Sequence, residues 1–473
     1  MRISDIISMA ESYLVTGIVF AVLLAVIFLF LYFVVYKRVL KGKRNLSKRK
    51  VCWGVIFICY MTVVLGATLL SRGYGDFYLN RKIVPLLYSY KEAWVNFSVK
   101  EWRNIILNIL MFVPFGFLLP LGIKRFRIFW KTYLIGFLFT LGIELIQLLL
   151  QKGIFECDDI LNNVLGTMIG YGFFEIWTFF IVVIRKQSKS VVFVILSQIP
   201  LILTVTVFGI LFVVYTNQEL GNLNCKYVTK IDSDILQVET KETYSKEAVS
   251  MPVYQIRKAS IEETKEFAEK FLENLEDTLD EDRTDLYDET AVYYGNKDYS
   301  LWIDYSGMTY QFTDFSTLFP DEEIKKAENA EEQTIRSLLH KYMVEIPEEA
   351  VFKNDGDGKY SFSIQQYVED NIMYDGMIRC EYYDNGKFGS INSNMLNCVY
   401  EQDYPSISEQ EAYQMICEGK FRYNLDKKSL DVKIGKIMVD YEVDSKGYYQ
   451  PIYRFDAKIN GVETQIEIPA VCF

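Results

Sequence analysis

The hydrophobic positions of this chain follow two patterns. Up to about residue 216 they form long uninterrupted runs; beyond it they alternate with polar residues or recur every three to four positions. Six runs are long enough for a helix to cross a bilayer core, which takes about 20 residues. They cover 14–36, 51–70, 105–122, 132–150, 160–184 and 191–215. The first run follows no basic cluster, exceeds a signal-peptide core and precedes no small-x-small cleavage site, so it reads as an anchor.

Beyond residue 216 three segments have helical periodicity: "IEETKEFAEKFLENLE", "EIKKAENAEEQTIRSLLHKYM" and "ISEQEAYQMICEGKF". Each is followed by alternating, strand-like text such as "YSLWIDY", "KYSFSIQQYV" and "DVKIGKIMVDYEV". Asn385-Gly386 and Asn460-Gly461 sit between alternating runs, the signature of a type I′ hairpin, whose two central residues both take positive φ. The pattern predicts a multi-pass α-helical membrane domain of six spans joined to an extracytoplasmic α+β domain with an antiparallel sheet. A helix-then-sheet unit is used there two or three times.

Charge sharpens this division. Residues 1–216 carry 23 Lys and Arg against 10 Asp and Glu, a net of +13, and the remainder carries 27 against 51, a net of −24. Nucleic acid is not expected as a partner of so acidic a surface. The loops "KRVLKGKRNLSKRK", "IKRFRIFWK" and "RKQSKS" are basic and free of acids. The positive-inside rule places all three in the cytoplasm and both termini outside. Four segments result: an anchor with a basic cytoplasmic loop (1–50), a transmembrane domain (51–190), a sixth transmembrane helix (191–216) and the acidic outer domain (217–473).

The outer domain offers little candidate chemistry. "NDGDGK" at 354–359 lacks the bidentate Glu and the spacing of a calcium loop and predicts a solvated hairpin turn. The single histidine, His340, makes neither a zinc site nor a catalytic triad and is expected to be a half-buried packing residue. No metal site and no cofactor is expected. Outward exposure permits disulfides among Cys157, Cys225, Cys380, Cys398, Cys417 and Cys472, with pairing open and free thiols an equal alternative.

The polar residues inside the apolar runs are more informative. Glu144 lies about six residues from the outer end of the fourth span, roughly 9 Å deep at 1.5 Å per residue. Gln147 follows on the same face. Asn108 enters with the third span, and Asp158, Asp159, Asn162 and Asn163 with the fifth. Three helices thus bring polar groups to one depth, in the outer half of the bilayer. Gly166 and Gly170 form a G-x-x-x-G that favours close helix approach, and Pro114 frees a backbone carbonyl. Asn108 or Gln147 is placed to donate to Glu144, and protonation of Glu144 is the alternative. Glu175, deeper in the fifth span, stands apart from this cluster and is either neutral or paired.

The runs "NIILNILMFVPFGFLLPLG", "GIELIQLLL" and "FECDDILNNVLGTMIGY", in that order, resemble the VanZ-like membrane family over roughly residues 50–185. The matching positions are Asn108, Pro114 and Gly116; Glu144 and Gln147; and Asp158, Asp159, Asn163 and Gly166. Where the family commonly has Gly-Arg before Phe-Asp, this chain has Lys152-Gly153 before Phe155-Glu156, so Lys152 would replace a forked cation by a point charge. The resemblance implies a link to resistance against glycopeptides of the teicoplanin type. The segments "ISEQEAYQMICEGKF" and "YYQPIYRFDAKINGVETQIEIP", with Pro451 and Tyr453, resemble PepSY-like domains.

Three readings follow. In the first, a non-enzymatic envelope protein binds an envelope lipid, a lipid-linked precursor or a lipophilic glycopeptide through a pocket of Asn108, Glu144, Gln147, Asp158, Asp159, Asn163 and Lys152, with Pro114, Gly116, Gly166 and Gly170 packing the helices. In the second, a sensor acts through the outer domain and an envelope protein partner. The third is an intramembrane enzyme acting on a lipid-linked phosphate, with Glu144 or Asp159 as base. Against all three stands plain helix–helix gluing by membrane Asn and Gln. The balance favours a protein that is not an enzyme.

Overall fold

A computed structural model describes residues 22–23, 26–27, 29–39, 41, 47–70, 83–150, 154–317, 324–423 and 429–471. The chain divides into two compact units, Met1–Glu219 and Leu220–Phe473, three residues beyond the change in hydrophobic pattern near residue 216.

Among the described residues of the first unit, five helical stretches are long and apolar enough to cross a membrane: Lys48–Thr68, Val99–Gly122, Phe129–Leu149, Cys157–Ile184 and Val191–Asn217. The span expected at 14–36 is described only in part: residues 22–23, 26–27 and 29–30 are helical and a π-helix, Leu31–Val39, covers its end. The ordered elements are α1 (Lys48–Leu65), continued by a π-helical turn, then β1 (Ile83–Val84), α2 (Tyr88–Asn96), α3 (Val99–Gly122), α4 (Phe129–Leu149), β2 (Phe155–Glu156) and α5 (Cys157–Ile184). Helices α3 to α5 each start three to six residues before the apolar run does, because Lys100, Glu101 and Arg103 in α3, Lys131 in α4 and Asp158 with Asp159 in α5 interrupt the apolar letters there. The sixth expected span is two helices, α6 (Val191–Leu196) and α7 (Ile199–Asn217). Pro200 has no N–H to continue the ladder. At the break Ser197 Oγ donates to Val194 O at 2.6 Å, and Gln198 Nε2 donates to Gly172 O on α5 at 3.0 Å.

Helices α3 and α5 approach backbone to backbone. A Cβ on Gly166 would lie 2.0 Å from Ile109 O, one on Gly170 1.9 Å from Val113 O, and one on Gly116 1.9 Å from Thr167 O. Only glycine permits that distance, and this is the contact the G-x-x-x-G predicts. Helix α1 is fastened by Trp53 Nε1 donating to Leu118 O and Tyr60 Oη donating to Met111 O, both at 2.8 Å.

The second unit is a large mixed sheet with helices, α+β as expected. Its strands are β3 (Leu236–Thr240), β4 (Ser250–Ile256), β5 (Asp285–Leu286), β6 (Thr290–Tyr294), β7 (Tyr299–Asp304), β8 (Tyr310–Asp314), β9 (Val351–Gly356), β10 (Lys359–Glu369), β11 (Ile372–Tyr382), β12 (Phe388–Pro405), β13 (Leu430–Val443), β14 (Tyr448–Ile459) and β15 (Val462–Pro469). All pairings in it are antiparallel except β3 with β13. The 18-residue β12 pairs with β8 and β11 along its first part and with β4 along its last; the unit has two main hydrophobic cores, and Phe388, Ile391 and Met395 of β12 belong to the first. Helices Ile261–Asn274 and Glu332–Lys341 cover the first core, through Phe271, Leu272, Ile335 and Leu339. Helix Glu409–Cys417 covers the second, with Ala412 and Ile416 against Val432 and Phe455. Ser260 with Glu263 and Ser408 with Glu411 close reciprocal capping boxes that start two of these helices.

The extent of the middle helix, the turn at Asn385-Gly386 and the burial of His340 differ from expectation. Of the periodic segment 323–343, the described residues 324–343 are helical only over Glu332–Lys341, since Lys326 is in a bridge with Tyr383 and the chain then turns. Asn460 and Gly461 both take positive φ, 50° and 88°, as a type I′ turn requires, but at Asn385-Gly386 only the glycine does. There Asn385 Oδ1 accepts from Lys387 N at 3.0 Å, so the side chain shapes a longer turn. His340 is exposed, on the solvent side of its helix. The described cysteines Cys157, Cys225, Cys380, Cys398 and Cys417 are free thiols, and Cys472 lies outside the described residues. "NDGDGK" forms the β9–β10 hairpin turn, with Gly356, Asp357 and Gly358 at positive φ.

Candidate functional site

The start of α5 is the organising element. Its first two turns present Asp158, Asp159, Asn162 and Asn163, and successive residues of a helix point about 100° apart. Asp158 and Asn162, one turn apart, both reach α2. Leu87 N donates to Asp158 Oδ1 at 2.5 Å and Ser89 N to Oδ2 at 2.7 Å, while Tyr90 Oη donates to Asn162 at 2.5 Å. Asp158 is fully buried and holds the otherwise unpartnered N–H groups that open α2. Leu87 enters that helix at φ 68°, a left-handed conformation unusual for a leucine, which the two bonds help to hold.

Asp159 points another way. Its Oδ1 accepts from Asn108 Nδ2 on α3 at 2.6 Å, and both residues are only partly buried. Asn163 points towards α4, donating to Thr140 Oγ1 at 2.8 Å, and its own carbonyl accepts from Thr167 Oγ1 at 2.9 Å. On α4 the residues Thr140, Glu144 and Gln147 share one face and are all buried. Glu144 Oε2 accepts from Glu156 N at 3.1 Å, which fixes the strand pair β1–β2 beside it, where Ile83 and Val84 run parallel to Phe155 and Glu156. Gln147 Nε2 donates to Thr68 O at 2.9 Å. Among the described residues the side-chain carbonyls of Gln147 and Asn163 are buried with no hydrogen-bond partner.

Asn108, Glu144, Gln147, Asp158, Asp159 and Asn163 thus gather at one end of the bundle, in contacts made by four helices. They do not all face the same way. Asp158 is committed to α2, Asn163 to α4, and Glu144 and Gln147 to the chain segments beside them; the Asn108–Asp159 pair keeps partial exposure. Lys152 lies outside the described residues. Tyr90, Thr140, Thr68 and the short helix α2 were not anticipated, because α2 lies in a connection with no apolar run to reveal it. Glu175 is paired: Lys189 Nζ sits 2.5 Å from its carboxylate and also bonds Thr178.

No curated protein matches the chain. Among solved structures it is similar to an uncharacterized protein from Eubacterium rectale ATCC 33656, at 8% identity over 50% of this chain and 87% of that one, with a TM-score of 0.25. It is also similar to the Bacillus megaterium YpeB C-terminal domain, at 15% identity over 46% of this chain and 94% of that one, with a TM-score of 0.21. Scores this low carry neither fold nor role across. Residues 57–180 match the VanZ/LLP1 family. That segment runs from within α1 to near the end of α5 and contains every one of the clustered polar residues and the three close-packing glycines, so the similarity to that family covers the whole cluster and none of the second unit.

Proposed function

We propose that this protein is a VanZ-like protein of the cell envelope that binds an envelope lipid, a lipid-linked precursor or a lipophilic glycopeptide at the polar end of its helix bundle. The observation that carries the reading is the Asn108–Asp159 pair. It is supplied by two helices whose backbones touch, it is partly exposed, and buried groups stand behind it. In a bilayer such a pair meets headgroups and acyl chains together, the chemistry of an amphiphile rather than of a soluble metabolite. The basic loops at the opposite end favour an orientation with this cluster in the outer leaflet and both termini outside. The sensor reading is the second choice. It is favoured by the two hydrophobic cores that the second unit builds from its own residues.

Susceptibility to a teicoplanin-type glycopeptide, in cells with and without the gene, tests the proposal. Asn108→Leu is expected to remove most of the protective effect at unchanged protein abundance, and Glu144→Gln to weaken it partially. Complete loss with Glu144→Gln alone would point to catalysis instead. Wild-type behaviour of both variants would leave helix gluing as the role of the cluster.

A further inference from the structure

The second unit contains a polar cleft that the membrane site does not use. It opens where β10 leaves the register of β11. Ile364 faces Gly376 and the next pair is Tyr367 with Tyr374, so Gln365 and Gln366 stand opposite Asp375 alone. Gln366 adopts a φ of 47°. Its side-chain amide engages both main-chain groups of Tyr441 on β13, donating to the carbonyl at 2.8 Å and accepting from the N–H at 3.0 Å. A side chain thus imitates a strand and ties the bulge to β13. Gly376 has a φ of 135°, and a Cβ there would lie 2.1 Å from Asn394 O, so bare backbone lines this part of the cleft. The resulting space is about 940 Å³, near the upper end for small-ligand pockets and enough for several residues of an extended chain.

The charges lining it are one-sided. Tyr449 Oη donates to Asp375 at 3.0 Å. The Tyr367 hydroxyl is pushed up to about 12, chiefly by its hydrogen bond to Glu349. Glu442 is a third carboxylate, 2.5 Å from Lys226. Of the described residues lining the cleft the one cation is Arg454. It is already held by Asp440 and, at 3.1 Å, by Glu467. The lining therefore repels anions and favours ammonium or guanidinium groups, and the net −24 of the domain extends that attraction into solution.

We propose that this cleft binds a basic peptide segment. Its cationic side chains lie against Asp375 and Glu349, their aliphatic stems run along the tyrosine rings, and its main chain meets the amides of Gln365 and Asn394. The site is independent of the membrane cluster and gives the second unit a ligand of its own.

The test uses the full-length protein in nanodiscs of neutral phosphatidylcholine, which do not themselves attract the probe, titrated with labelled hexalysine. One peptide per protein is expected. Asp375→Asn combined with Glu349→Gln should weaken binding at least tenfold. The charge-matched pair Glu281→Gln with Glu463→Gln, at exposed acids elsewhere on the unit, should leave it within twofold of wild type. Asn394→Arg, at an exposed position of the cleft, should weaken binding as strongly without removing any carboxylate, and covers a failure of the double variant to fold. Equal weakening by both charge-matched pairs would show attraction to the overall field and overturn the site. Displacement of hexalysine by neutral tri-N-acetylglucosamine, or no one-to-one binding at all, would overturn the peptide assignment.

Discussion

Helix α5 and strand β14 hide opposite kinds of side chain. Along α5 the buried positions include Asp158, Asn162, Asn163, Thr167 and Glu175, while Leu161, Phe173, Trp177, Phe180 and Val183 are exposed. Along β14 Ile452, Tyr453, Phe455, Ala457 and Ile459 are buried, while Asp456 and Lys458 are exposed. The surrounding solvent explains the inversion. In water, burying apolar area is favourable, so the core of the second unit is greasy. Against lipid tails a leucine gains nothing by turning inward. What holds the helices together there is close backbone contact and the need of every polar group for a partner.

That comparison makes predictions that differ in kind and size. Phe455 is wholly buried in the second core of the second unit. Phe455→Ala is expected to cost about 3–5 kcal/mol, enough to unfold that unit while the membrane unit stays intact. Limited proteolysis of the nanodisc-held protein reads both units at once, and loss of both together would mean that the units do not unfold separately. Gly166→Leu makes the converse change, adding apolar volume where the membrane unit tolerates none. The cost is expected near 3 kcal/mol, the upper part of the usual overpacking range, because the obstructing atom is the backbone oxygen of Ile109. It should appear as a lower level of folded protein in the membrane; an unchanged level would refute close backbone packing as the source of stability. Asp158→Asn probes the polar side of the comparison. An amide accepts from Leu87 N or Ser89 N through its one oxygen and turns an NH₂ towards the other, which strands a buried donor at roughly 1–2 kcal/mol. A melting temperature equal to wild type would place Asp158 outside the structural role its geometry gives it.

Much of this was readable from the residues. The glycines at 116, 166 and 170 lie one or more turns from polar neighbours within apolar runs, and a small residue in a lipid-facing sequence has few roles other than close packing. The convergence of Asn108, Glu144 and the acids of α5 followed from counting residues inward from each helix end. The hairpin at Asn460-Gly461 was legible because a two-residue loop between paired strands demands positive φ twice. The turn at Asn385-Gly386 was not, because its loop is longer and the same dipeptide serves a different geometry. The break before α7 was missed for a related reason: Pro200 is visible in the sequence, but the Gln198 bond to Gly172 that accompanies the interruption joins residues 26 positions apart.

What the sequence by itself determined was the division of the chain between lipid and water, because that depends on the summed transfer free energy of runs of about 20 residues and needs no partner. What only the tertiary structure decided was the fate of two adjacent aspartates. Asp158 meets backbone groups 69 and 71 positions away in α2, and Asp159 meets an amide 51 positions away in α3. Neighbouring residues of a helix point about 100° apart, so whichever elements pack on either side assign one carboxylate to the scaffold and leave the other at the surface of the bundle.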